Sequence, residues 1–139
     1  MIDIENDVFT VIKNALKSRF QGIDVSKEYD HKPSSFPYVT IVESDNRVYQ
    51  RMRTLNIENA AEVMYSVNVY SNRMNGKKEE AKAIAAVVDE AFEGSGFTRT
   101  LMEQIPNEHN ASIYRLVIRY EAIVGKEPDG RFLVYQNNT

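Results

Sequence analysis

The chain is 139 residues long, has no cysteine and only two histidines, and carries a formal charge of −3 at pH 7. One domain is the expectation at this length. The missing thiols exclude disulfide frameworks, thiolate zinc sites and cysteine nucleophiles, and the acidic balance removes any global pull toward nucleic acid.

The first element is a helix from about Ile4 to Phe20. Val8, Val11, Ile12, Ala15 and Leu16 recur at spacings of three and four and so fall on one face. Asp3 is placed to cap it, and Gly22 ends it by accepting a left-handed conformation. A strand follows from Ile23 to Tyr29. The segment His31-Lys32-Pro33-Ser34-Ser35-Phe36-Pro37 is a loop, because each proline removes a donor and restricts its predecessor. The second strand runs from Tyr38 to about Glu43.

Residues 44–60 are harder to read. Arg47, Tyr49, Arg51 and Arg53 alternate with Val48, Gln50, Met52 and Thr54, which points to an extended ribbon with little to offer a core. The expectation is a protruding hairpin arm or a mobile loop. The third strand, about Ala61 to Ser71, sets Val63, Tyr65, Val67 and Val69 on one face and Met64, Ser66, Asn68 and Tyr70 on the other. A turn at Asn72–Gly76 leads into a second helix over about Lys77 to Glu93, striped by Ala81, Ile84, Ala85, Val88 and Phe92. A strand from Phe97 to Ile105, a turn, and a long strand from Ala111 to Val124 follow. A last short strand is admitted at Phe132–Tyr135.

The order αβββαββ with long alternating strands implies an α+β fold: a mostly antiparallel sheet with two helices packed on one face. The domain is expected over 1–124, with 125–139 as a C-terminal extension. The face without helices carries Met64, Tyr70, Ile113, Val117 and Ile123, so it is either partly solvated or covered by another chain.

The chain carries no motif for chemistry. His31 and His109 lie in loop and turn sequences and read as solvent-facing, and the adjacent Glu108–His109 pair has no partners with which to hold a metal. Asn75-Gly76-Lys77-Lys78 echoes a phosphate loop but lacks its spacing and its Ser or Thr. Nothing fixes the separation of Glu28, Asp30, Glu43, Asp45, Glu58 and Glu62, so no acid/base pair can be assigned. No enzyme and no cofactor are expected. No membrane is expected either: the longest apolar run, Ala83–Val88, has six residues against the ~20 of a span, and the acidic N-terminus is unlike a signal peptide. A reducing cytoplasm is the expected site of synthesis.

Two basic stretches remain. Arg47, Arg51 and Arg53 flank Tyr49, a combination that suits single-stranded nucleic acid but also a subunit interface. No nucleic-acid-binding signature accompanies it, so no specific nucleic acid is expected. Arg73, Lys77 and Lys78 crowd the start of the second helix, where positive charge is unfavourable. They form either a solvated turn, with Glu79 and Lys82 paired, or a docking site for an acidic surface. Glu58 and Glu62 are available to answer the arginines across a contact.

The residues also carry a resemblance. Ser34-Ser35-Phe36-Pro37-Tyr38-Val39-Thr40-Ile41-Val42-Glu43, then Val63-Met64-Tyr65-Ser66-Val67-Asn68-Val69-Tyr70-Ser71-Asn72 with Gly76-Lys77-Lys78-Glu79-Glu80-Ala81-Lys82, then Gly96-Phe97-Thr98-Arg99-Thr100 and Ile113-Tyr114-Arg115, together resemble a family of small tail proteins from phages and prophages of Gram-positive bacteria. The likeness covers roughly Val8 to Val124 and lies in the joint order of its pieces. It is a likeness to tail terminators, also called tail-completion or tail-to-head joining proteins. It implies an α+β domain that forms a hexameric ring at the head-proximal end of the tail, stops tube polymerisation and meets the head connector. The implied partners are copies of itself, the tail tube protein, the head–tail connector or neck protein and, in a contractile tail, the sheath. The implied place is the virion tail, assembled in the bacterial host cytoplasm. Another neck or head-closure protein is the alternative, followed by a small cytoplasmic ligand-binding module.

Overall fold

The computed structural model describes residues 1–28, 33, 35–49, 60–106, 111–126 and 132–135. Two helices, α1 (Glu5–Arg19) and α2 (Lys77–Gly94), accompany six strands: β1 (Asp24–Ser26), β2 (Tyr38–Val48), β3 (Ala60–Ser71), β4 (Thr98–Gln104), β5 (Tyr114–Lys126) and β6 (Phe132–Tyr135). The strands form one sheet in the order β1-β2-β3-β5-β4, with β6 also pairing β5. All pairings are antiparallel except β1 with β2. The α+β architecture is thus the one the periodicity implies.

The sheet's long strands owe their register to alternation. Val63, Tyr65, Val67 and Val69 of β3 lie opposite Ala122, Tyr120, Ile118 and Leu116 of β5, and all eight are buried under the helices. A slip of one residue would turn this whole set to the other face. Val8, Ile12 and Leu16 of α1 and Ala81, Ile84, Ala85, Val88 and Phe92 of α2 close the core from above. Phe92 stacks on Tyr120 with centroids 4.1 Å apart and meets Phe97 edge-on at 5.3 Å. Burying one such ring contributes on the order of 2–3 kcal/mol.

The face without helices is only partly open. Two rows cross it: Tyr38–Tyr70–Arg115, and Thr40–Asn68–Val117. Tyr38, Thr40, Asn68, Tyr70 and Val117 are all buried within the single chain. Arg115 ties the rows together by donating from Nε and Nη2 to Asn68 Oδ1 at 3.0 and 2.8 Å, with its guanidinium 5.7 Å from the Tyr70 ring centre. At this end of the sheet no second chain is needed for cover.

Several local expectations are corrected. Val11, placed on the apolar face of α1, is 50% exposed. The cap position of α1 is Ile4, not Asp3; Asp3 Oδ1 still accepts from the Glu5 N–H at 3.1 Å. β1 stops at Ser26, and Tyr29 lies outside the described residues. β2 does not stop at Glu43. A bulge between Glu43 and Asp45 absorbs one residue, and pairing continues through Asp45↔Met64, Asn46↔Val63, Arg47↔Glu62 and Val48↔Ala61. Residues 44–48 therefore belong to the sheet, and Tyr49 N–H still donates to Ala60 O at 2.9 Å. The rest of the expected arm, 50–59, lies outside the described residues. At the other end, β6 pairs Ile123–Lys126 of β5, past the point where β4 ends.

Candidate assembly interface

The candidate interface residues divide into three sets. Arg47 and Glu62 sit opposite each other on β2 and β3. Arg47 Nε lies 3.0 Å from Asp45 Oδ2, and its Nη2 lies 3.8 Å from Glu62 Oε2. Glu62 thus faces Arg47 within one chain, as a cross-strand neighbour in an antiparallel ladder does, with Asp45 nearer still. The pair is exposed and so contributes little to stability. Tyr49 is half-buried beside it. Arg51, Arg53 and Glu58 lie outside the described residues, as do His31, Glu108 and His109.

The second set surrounds the turn before α2. Gly76 adopts φ +93°, which frees the chain to reverse before the helix starts. Glu80 accepts from Ser71 Oγ at 2.7 Å and pairs with Arg73 at 4.0 Å. Lys77 Nζ donates to Ala111 O at 3.3 Å. Lys78 is exposed, and Met74 in the turn is 97% exposed. The expected Glu79–Lys82 pair is replaced by Arg73–Glu80. Acids at Glu79 and Glu80 offset the two lysines in the first turn.

The third set was not legible in the sequence. One carboxylate oxygen each of Asp3, Glu5 and Glu43 lies within 4.8 Å of the others. They line a shallow groove with Met1, Asn46 and Val48. Asn46 Nδ2 fixes the N-terminal segment there by donating to Ile2 O at 2.8 Å. Glu43 accepts from Tyr65 Oη at 3.3 Å. Burial raises the Glu43 carboxyl above the ordinary glutamate range; the Tyr65 hydrogen bond opposes this, and the charges of Glu5 and Asp3 add to it. Tyr65 is itself pushed up, by burial first and then by the Glu43 charge, so it stays a donor. Three oxygens fall well short of the ~6–8 that a calcium ion takes. Among the described residues no lysine or arginine pairs with the trio.

A second groove is lined by Asp89, Glu93, Phe97, Thr98, Arg99 and Tyr120. Tyr120 Oη donates to Asp89 Oδ1 at 3.0 Å, and Arg99 Nη1 lies 3.7 Å from the same oxygen. Burial, then the hydrogen bond and charge of Asp89, hold the Tyr120 hydroxyl above the ordinary phenol range. Asp89 thus serves both Tyr120 and Arg99.

The described residues form an α+β sheet with charged side chains lining two grooves. The model of one family, tail completion protein gp17, matches residues 13–125. The chain belongs to that family and is a phage tail completion protein, a structural component of the virion tail. A search of curated proteins returns no match.

Proposed function

We propose that the protein terminates the tail. Copies of it form a ring on the head-proximal end of the tail tube, stop tube polymerisation and present a surface to the head–tail connector. Its partners in this reading are itself, the tube protein, the connector or neck protein and, in a contractile tail, the sheath; assembly takes place in the bacterial host cytoplasm. The family match across residues 13–125 carries the reading. The fold supports it, because its two sheet margins are unlike each other and unlike margins make head-to-tail contacts that can close into rings. The test is assembly of purified tube protein with and without this chain, read by electron microscopy. Tubes of limited length, each bearing one ring of this protein at one end, are expected. Tubes of unrestricted length with no bound protein would overturn the reading, as would a location in the particle away from the tail's upper end.

A further inference from the structure

We infer that the ring is closed by sheet pairing, the edge of β4 that no described strand covers docking in the next copy antiparallel on the outer edge of β2 that no described strand covers. The inference rests on the ring reading above and says which surfaces make it. β4 is the terminal strand of its sheet, and its seven residues have β5 on one side and no described strand on the other. At the opposite margin, β1 covers only Tyr38, Val39 and Thr40 of the eleven residues in β2. The stretch Ile41–Val48 has β3 on one side and no described strand on the other. Backbone donors and acceptors along such edges invite another strand.

The two edges fit in length, direction and charge. Seven residues span ~24 Å, and Ile41–Val48 is slightly longer. β2, β3, β5 and β4 alternate in direction, so β2 and β4 run opposite ways within one chain. A neighbour in the same orientation, helices on the same side, therefore offers β4 antiparallel to β2, the more stable pairing. Both edges carry a bulge, at Glu43/Asp45 and at Arg99/Leu101. Bulges discourage casual partners while still admitting one that matches them. Glu43 lies opposite the core residue Tyr65, and Arg99 opposite the core residue Tyr120. Both are therefore on the helix-bearing face, where Asp3 and Glu5 join Glu43. Head-to-tail pairing brings the half-exposed Arg99 toward that carboxylate trio. Because β2 and β4 differ, a dimer leaves one edge of each kind open, and only a closed ring or a filament satisfies both.

The absence of cysteine makes the test direct. Ser44→Cys is combined in turn with Thr98→Cys, Thr100→Cys and Glu103→Cys, assembled with tube protein and oxidised. Cross-strand neighbours sit ~4.5–5.5 Å apart between Cα atoms, within disulfide reach. A ladder of covalent multimers is expected from at least one pair. Assembled rings with no cross-link from any pair would overturn the inference and leave the ring reading standing. Covalent dimers from Thr100→Cys alone would overturn it in favour of β4 pairing with itself. Wild-type protein that forms no ring would remove both. Independently, Arg99→Glu should lower the assembled fraction about tenfold, and adding Glu5→Lys should restore it; an Arg99→Glu protein that assembles normally counts against the docking.

Discussion

Glu43 shows how one residue serves two states of the molecule. Its folded-state proton affinity is raised, mainly by burial and further by Glu5 and Asp3. A carboxyl raised in the fold favours the protonated form, so its stabilising contribution is complete below the unfolded value near 4.5 and is lost as pH rises through the folded value. Glu43→Gln removes that loss while keeping an oxygen for the Tyr65 hydroxyl. The variant should be more stable than wild type at pH 7, and the difference should vanish below the ordinary glutamate range. Urea unfolding at both pH values checks this, and a gain that is independent of pH would refute the assigned cause. The trio itself was hidden in the sequence because Asp3, Glu5 and Glu43 meet only through tertiary structure. In the sequence Asp3 reads only as a helix cap, and Glu5 falls in the first turn, where an acid is ordinary.

Elements were legible where periodicity and punctuation agreed. α2 has an unbroken apolar stripe, a turn before it and glycines after it, and its bounds follow from those signals. The polar Ser44, Asp45, Asn46 and Arg47 argue for a shorter β2, because polarity alone speaks against a core strand. The ladder continues regardless: β3 supplies the partner, and Asp45 and Glu62 satisfy Arg47. Val11 errs in the opposite direction, since an apolar residue at helical spacing can still fall on the margin of the stripe. The start of α2 offers a clean test of backbone punctuation. Gly76 sits at φ +93°, where a Cβ would meet Glu79 Oε2 at 3.6 Å, an ordinary contact. The cost of Gly76→Ala is therefore conformational and not steric crowding, about 1–2 kcal/mol. Thermal unfolding should show that loss with the helix content unchanged. An unaltered melting temperature would mean that the turn relaxes without strain.

For the whole molecule, strand identity came from local pattern, but strand order did not. Nothing in the sequence says that β5 lies between β3 and β4, or that β1 joins parallel to β2, because those neighbours are set by long-range packing. The same limit hid the two unlike edges on which the proposed pairing rests. β6 is the remaining lever on those edges. It covers β5 over Ile123–Lys126, whereas β4 covers it over Leu116–Glu121. The family match ends at Gly125, so the portion it defines holds β1 to β4 and nearly all of β5 without β6. A chain ending at Lys126 should therefore keep its fold by circular dichroism. It should lose about 1–3 kcal/mol, since Ile123–Lys126 of β5 exchange their ladder hydrogen bonds with β6 for water. The uncovered end of β5 should also make the truncated protein more prone to self-associate than the full chain, because a bare strand edge is a template for pairing. Thermal melts and light scattering at matched concentrations separate the two effects. If stability falls while solution behaviour is unchanged, β6 is a brace only. If association rises and ring assembly is lost together, β6 keeps the β5 edge closed so that β4 and β2 remain the edges available for pairing.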